Sequence, residues 1–96
     1  VKNEQNDLPS NYKLFQNYPN PFNPSTTISY SIPKSETVQI KVYDLLGREV
    51  QTLLNKYQTT GTFEIKFDGT LLPSGIYFYK IICGDFSDTK KMILLR

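Results

Sequence analysis

The sequence predicts an all-β fold, an immunoglobulin-like antiparallel β-sandwich of about seven short strands. Three observations carry that expectation. Apolar and polar residues alternate with period two in several separate stretches, turn-forming residues recur roughly every eight to twelve positions, and no stretch keeps the apolar spacing of an amphipathic helix. At 96 residues one domain fits, because two independent cores of half that length would each be marginal.

Val1 to Asn11 is polar, contains Pro9 and shows neither period, so residues 1–13 are read as a linker or the tail of a preceding domain. In Leu14-Phe15-Gln16-Asn17-Tyr18-Pro19-Asn20-Pro21-Phe22-Asn23-Pro24 the prolines fix φ and push each preceding residue out of the helical region. This backbone must be extended or turning. Phe15, Tyr18 and Phe22 are the residues expected to pin it against a core.

From Thr27 the period becomes two: Ile28, Tyr30 and Ile32 alternate with Thr27, Ser29 and Ser31 until Pro33. Val38, Ile40 and Val42 alternate with Gln39, Lys41 and Tyr43, and Asp44-Leu45-Leu46-Gly47 then suits a type I turn. Arg48 to Leu54 fits neither period cleanly; a hairpin partner and a short helical turn both account for it. After Thr59-Thr60-Gly61, Phe63, Ile65 and Phe67 alternate with Thr62, Glu64 and Lys66 as far as Asp68-Gly69, the cleanest strand in the chain. Both alternate sets of Ile76 to Cys83 are largely apolar, which marks a strand that is central or covered on both faces. Gly84-Asp85 makes a two-residue hairpin, and Phe86 to Leu95 runs back as the last strand. Tyr77 follows a Gly-containing corner, where a tyrosine can return its hydroxyl to upstream backbone while its ring fills the core. Tyr79, Ile81 and Cys83 then point inward beside it.

Composition excludes several classes of function. Eleven Lys and Arg against nine Asp and Glu leave a charge of +2, too little to draw a polyanion, so nucleic acid is not an expected partner. No apolar run approaches the roughly 20 residues of a membrane-spanning helix. Histidine is absent, and with it the commonest general base and neutral metal ligand. Cys83 is the single cysteine, so no intrachain disulfide forms, and without a basic neighbour better than Lys80 it is read as inert core filling. No serine sits on a strand-to-helix elbow. Asp44, Asp68 and Asp85 fall at turns, where Asp serves the backbone. No catalytic residue, cofactor or metal site is therefore assigned; Asp85-Phe86-Ser87-Asp88 clusters oxygens without EF-hand spacing. Val1 to Asp7 lacks a basic segment followed by an apolar one, so no secretory signal peptide is read there; an exported protein would carry it upstream, on a longer precursor.

Four blocks are informative together: LFQNYPNPFNP at Leu14 to Pro24, followed by Ser25-Thr26-Thr27-Ile28; VYDLLGREV at Val42 to Val50; SGIYFYKI at Ser74 to Ile81; and KKMILLR at Lys90 to Arg96. In their order, and with the last block at the chain end, they resemble the C-terminal sorting domain of type IX secretion over residues 14–96. A related immunoglobulin-like module occurs in the flagellar hook-capping protein. The resemblance implies a non-catalytic module that follows an upstream passenger domain and directs it through the periplasm and across the outer membrane. Its implied partners are the outer-membrane secretion machinery and a sortase-like protease, and its destination the cell surface or the medium. Carried over by position, Tyr18, Pro19, Asn20, Pro21, Phe22, Asn23, Pro24, Gly47, Gly75 and Tyr77 are structural landmarks. Lys90, Lys91, Met92, Ile93, Leu94, Leu95 and Arg96 resemble the recognition signal. An edge strand there would offer unpaired backbone groups that a partner extends by strand addition; sequence physics alone slightly favours Met92 and Leu94 filling the core while the charges blunt the edge, and the resemblance tips the reading to recognition. A different reading is an accessory module binding carbohydrate or protein, with Tyr43, Tyr57, Phe78 and Phe86 as candidate stacking residues around the outer face of Ile76 to Ile82.

Overall fold

The computed structural model describes residues 8–96, so Val1 to Asp7, the first part of the expected linker, lie outside the described residues. The chain forms seven strands: β1 Lys13–Leu14, β2 Ser25–Ile32, β3 Glu36–Tyr43, β4 Glu49–Gln58, β5 Gly61–Asp68, β6 Gly75–Cys83 and β7 Phe86–Leu94. They make two sheets, β1-β2-β5 and β4-β3-β6-β7, in which every strand pairing is antiparallel. The all-β sandwich expected from the alternation is thus present, without a helix among the described residues.

The period-two pattern explains the core directly, since alternate side chains of a strand point to opposite faces. Ile28, Tyr30 and Ile32 of β2 and Phe67 of β5 face Val38, Ile40 and Val42 of β3, Tyr77, Tyr79, Ile81 and Cys83 of β6, and Met92 and Leu94 of β7. β6 lies between β3 and β7, as its two apolar faces predicted. Its outward residues Ile76, Phe78, Lys80 and Ile82 are half-buried among their cross-strand neighbours.

Arg48 to Leu54 resolves as hairpin partner, not helix. Ile40 pairs with Leu54 but Lys41 with Thr52, and Val42 pairs with Gln51 but Tyr43 with Glu49, so Leu53 and Val50 are the extra residues of two bulges. Each bulge shifts the alternation by one, which is why the apolar residues there matched no period. The preceding turn closes through Gly47 N–H to the Asp44 carbonyl at 3.0 Å, with Gly47 at φ +84°, where a Cβ is disfavoured. The Asp44 carboxylate accepts the amides of Leu46 and Arg48, and the Arg48 amide above all holds its pKa below the ordinary aspartate value.

The tyrosine corner is present: Tyr77 donates its hydroxyl to the Pro73 carbonyl at 2.7 Å while its ring is buried. Cys83 is buried and unpaired, and desolvation first, then the nearby Glu36 carboxylate, raises its thiol to about 12. The hairpin at Gly84-Asp85 joins β6 and β7 with Cys83 opposite Phe86.

The proline segment departs from expectation at Tyr18, which is 81% exposed. The backbone explains it. Tyr18 N–H and C=O both bond Thr27 at 3.0 Å, and this bridge turns the Tyr18 side chain to solvent. Leu14, Asn17 and Phe22 enter the interior instead, and Phe15 is half-buried beneath the Lys13 ammonium. Asn17, though polar, is fully partnered: its amide donates to the Pro19 carbonyl at 3.1 Å and to Thr26 Oγ1 at 3.0 Å. Thr26 Oγ1 in turn donates to the same carbonyl at 2.8 Å, so side chains supply bonds that a proline-rich backbone cannot make for itself.

Candidate functional site

β7 is an edge strand, paired with β6 alone in its sheet. Alternation divides the final seven residues between two faces. Met92 and Leu94 are fully buried, while Lys91 is exposed, Ile93 is half-buried opposite Ile76, and Leu95 is 55% exposed. Lys90 stands on the core-facing side with Met92, opposite Tyr79, and is half-buried, an inward charge of the kind that protects sheet edges. The two lysines therefore do not form one basic patch.

Met92 and Leu94 fill the core, while Lys91, Leu95 and Arg96 stay accessible. The outer edge of β7 is not free over its last residues, however. Ile93 C=O accepts the Phe22 amide at 2.9 Å, and Leu95 N–H donates to the Phe22 carbonyl at 3.0 Å. Ile93 N–H donates to Asn20 Oδ1 at 2.9 Å, and Gln16 Nε2 donates to the Lys91 carbonyl at 2.6 Å. Residues 16–22 thus run parallel to β7 as a strap, with Phe22 bridged to Leu94. The unpaired backbone groups expected between Lys91 and Leu95 are largely used within the chain.

The strap is anchored at several points. Phe22 is 2% exposed and meets Phe67 edge-on with ring centroids 6.0 Å apart. Pro24 C=O accepts the Gly69 amide at 2.7 Å. Tyr79 donates its hydroxyl to the Phe15 carbonyl at 2.6 Å, and burial first raises that phenol to about 12. Of the landmark residues, Tyr18 to Phe22 lie in the strap, Asn23 and Pro24 lead from it into β2, Gly47 is in the β3–β4 turn, and Gly75 and Tyr77 are at the start of β6; Gly75 pairs with Leu94. The strap and the end of β7 therefore come together, whereas Gly47 belongs to the opposite hairpin.

Arg96 closes the chain onto the β5–β6 loop. Its Nη1 donates to the carbonyls of Gly69, Thr70 and Leu72 at 3.1, 2.7 and 2.7 Å, and its amide to Ser74 Oγ at 2.9 Å. The Thr70 hydroxyl and amide, with the Arg96 charge further off, keep Asp68 below the usual carboxylate range.

Gln16 and Asn17 were not singled out from sequence, although one holds β7 and the other is the buried hub of the strap. The available signal was their position: primary amides beside prolines that offer no N–H. The candidate aromatic platform is not assembled. Tyr43 and Phe78 are cross-strand neighbours, but Tyr57 lies on β4 opposite Thr37, and Phe86 is covered by Tyr12, stacked at 4.8 Å and 9°. Tyr12 also donates to the Glu36 carboxylate, which raises the phenol to about 12.

A shallow concavity of about 400 Å³ lies between the β3–β4 turn and Leu72 to Tyr77. Its one carboxylate, Asp44, is held by Arg48 Nε at 2.8 Å, leaving no acid–base pair there. Among the described residues no three His, Cys, Asp or Glu side chains gather as metal ligands, and no helix is long and apolar enough to cross a membrane.

No protein of curated function matches the sequence. The crystal structure of dimeric latent PorU from Porphyromonas gingivalis is similar at 25% identity with a TM-score of 0.67; the match covers 83% of this chain but 9% of that one. The family model described as the secretion system C-terminal sorting domain matches residues 16–95, from the start of the strap to the end of β7. The chain belongs to the family of secretion system C-terminal sorting domains.

Proposed function

We propose that this domain is a non-catalytic address whose last residues, Lys90 to Arg96, are recognised by the outer-membrane secretion machinery, after which a PorU-like, sortase-like protease acts on the passenger–domain junction. Domains of this family are C-terminal sorting signals of type IX secretion and direct proteins to the cell surface or the medium. Residues 14–96 hold the sorting unit, Tyr12 and Lys13 already pack on it, and the residues before them link it to an upstream passenger. One observation carries the assignment to the last strand: Lys91 and Leu95 stay accessible on an edge strand whose Met92 and Leu94 are locked in the core, so the exposed pair has a fixed position. A backbone already held in place loses little further freedom on being bound.

The experiment is export of a soluble reporter fused ahead of the 96-residue chain, in a host with type IX secretion. Lys91→Ala combined with Leu95→Ser removes accessible groups without touching the core. Export should fall sharply while the thermal midpoint holds. Wild-type export of this double variant would place the address elsewhere.

A further inference from the structure

We propose that the secretion machinery reads a folded epitope made of two segments, the strap Gln16 to Phe22 and the end of β7 from Lys91 to Leu95, instead of extending β7 by strand addition. The inference rests on the sorting role proposed above and concerns how the address is read.

Strand addition needs a row of free amides and carbonyls on the receiving edge. On β7 the carbonyls of Lys91 and Ile93 and the amides of Ile93 and Leu95 are all bonded to the strap. The strap cannot serve as a new edge in its place, since Pro19 and Pro21 have no N–H to offer. Peeling it away would draw Phe22 from its buried seat against Phe67 and break the Asn17–Thr26–Pro19 bonds. A partner that must do this pays for unfolding before it gains a single contact.

Side chains remain for recognition. Tyr18 is the most exposed aromatic of the strap, and both its backbone groups are tied to Thr27, so its ring projects from a rigid mount. A tyrosine so held offers large contact area at low ordering cost, the usual property of an interface anchor. Along the strap it lies between Gln16, bonded at Lys91, and Asn20, bonded at Ile93. The partner that fits is a protein surface with an apolar recess for a phenol ring and carboxylates facing Lys91.

Two variants and one graft, in the same reporter fusion, test this. Tyr18→Ala should lower export roughly tenfold, the scale of losing an aromatic anchor, with an unchanged thermal midpoint. Asn20→Ala should speed hydrogen exchange at the Ile93 amide and also lower export. The peptide Lys90 to Arg96 appended alone to the reporter should not be exported. Wild-type export by Tyr18→Ala, increased export by Asn20→Ala, or export by the appended peptide would each overturn the two-segment epitope. If the Lys91→Ala, Leu95→Ser fusion is exported normally, the sorting assignment of the last strand itself falls.

Discussion

Phe22 and Ile93 are joined through the backbone, the Phe22 amide donating to the Ile93 carbonyl at 2.9 Å, while the Phe22 ring is buried against Phe67. One residue thus serves both as side-chain anchor and as main-chain cap of the last strand. Phe22→Ala should destabilise the domain by about 3–5 kcal/mol, as should Phe67→Ala, because each empties a phenyl-sized site in a packed core. The two losses should not add: an edge-to-face pair contributes about 0.5–1.5 kcal/mol beyond its buried area, so the double variant should lose less than the sum by that amount. Denaturant midpoints of the four proteins measure the cycle. Strict additivity would mean that the rings do not act on each other.

Phe67 was legible from sequence because it closes an uninterrupted alternation, and the same rule found β2, β3 and β6. It missed where the alternation carries extra residues. Val50 and Leu53 are bulged, and no local pattern separates a bulged apolar residue from a helical one. It also placed Tyr18 inward on hydrophobicity alone, whereas a backbone bridge to Thr27 decided its direction. The capping of β7 was illegible for a related reason. Gln16 and Asn20 meet Lys91 and Ile93 across more than seventy residues of chain, and only folding reveals that proximity.

The corner at Tyr77 offers a cleaner perturbation than any core truncation. Tyr77→Phe keeps the ring and deletes the 2.7 Å bond to the Pro73 carbonyl. The expected loss is about 0.5–1.5 kcal/mol, the ordinary net value of one intramolecular hydrogen bond. Urea unfolding with an unchanged m-value checks it. A neutral result would show that water replaces the hydroxyl at Pro73, and that the ring alone holds the corner.

Cys83 tests whether the four-stranded sheet opens. Its thiol is fully buried and raised to about 12, chiefly by desolvation, so neither access nor thiolate is available near neutrality. Labelling with a disulfide reagent at mildly alkaline pH should be slow, with a rate set by opening of the β6–β7 hairpin, and immediate in denaturant. Prompt stoichiometric labelling of the native protein would place the sulfur outside the core.

The β3–β4 turn should make stability acid-sensitive. The amide of Arg48 first, then its side chain and the Leu46 amide, favour the Asp44 carboxylate, so its folded pKa lies below 3.8. A depressed carboxylate contributes stability that is complete above the unfolded value and disappears as pH falls through the folded one. Wild type should therefore exceed Asp44→Ala in stability at neutral pH, and the gap should narrow as pH drops below 3.8. Comparing the pair cancels the other carboxylates held low, Glu36, Glu49 and Asp68. Urea midpoints of both proteins across the acid range give the gap directly; a difference that stays constant through that range would show that Asp44 shapes the turn as a hydrogen-bond acceptor whose charge is immaterial.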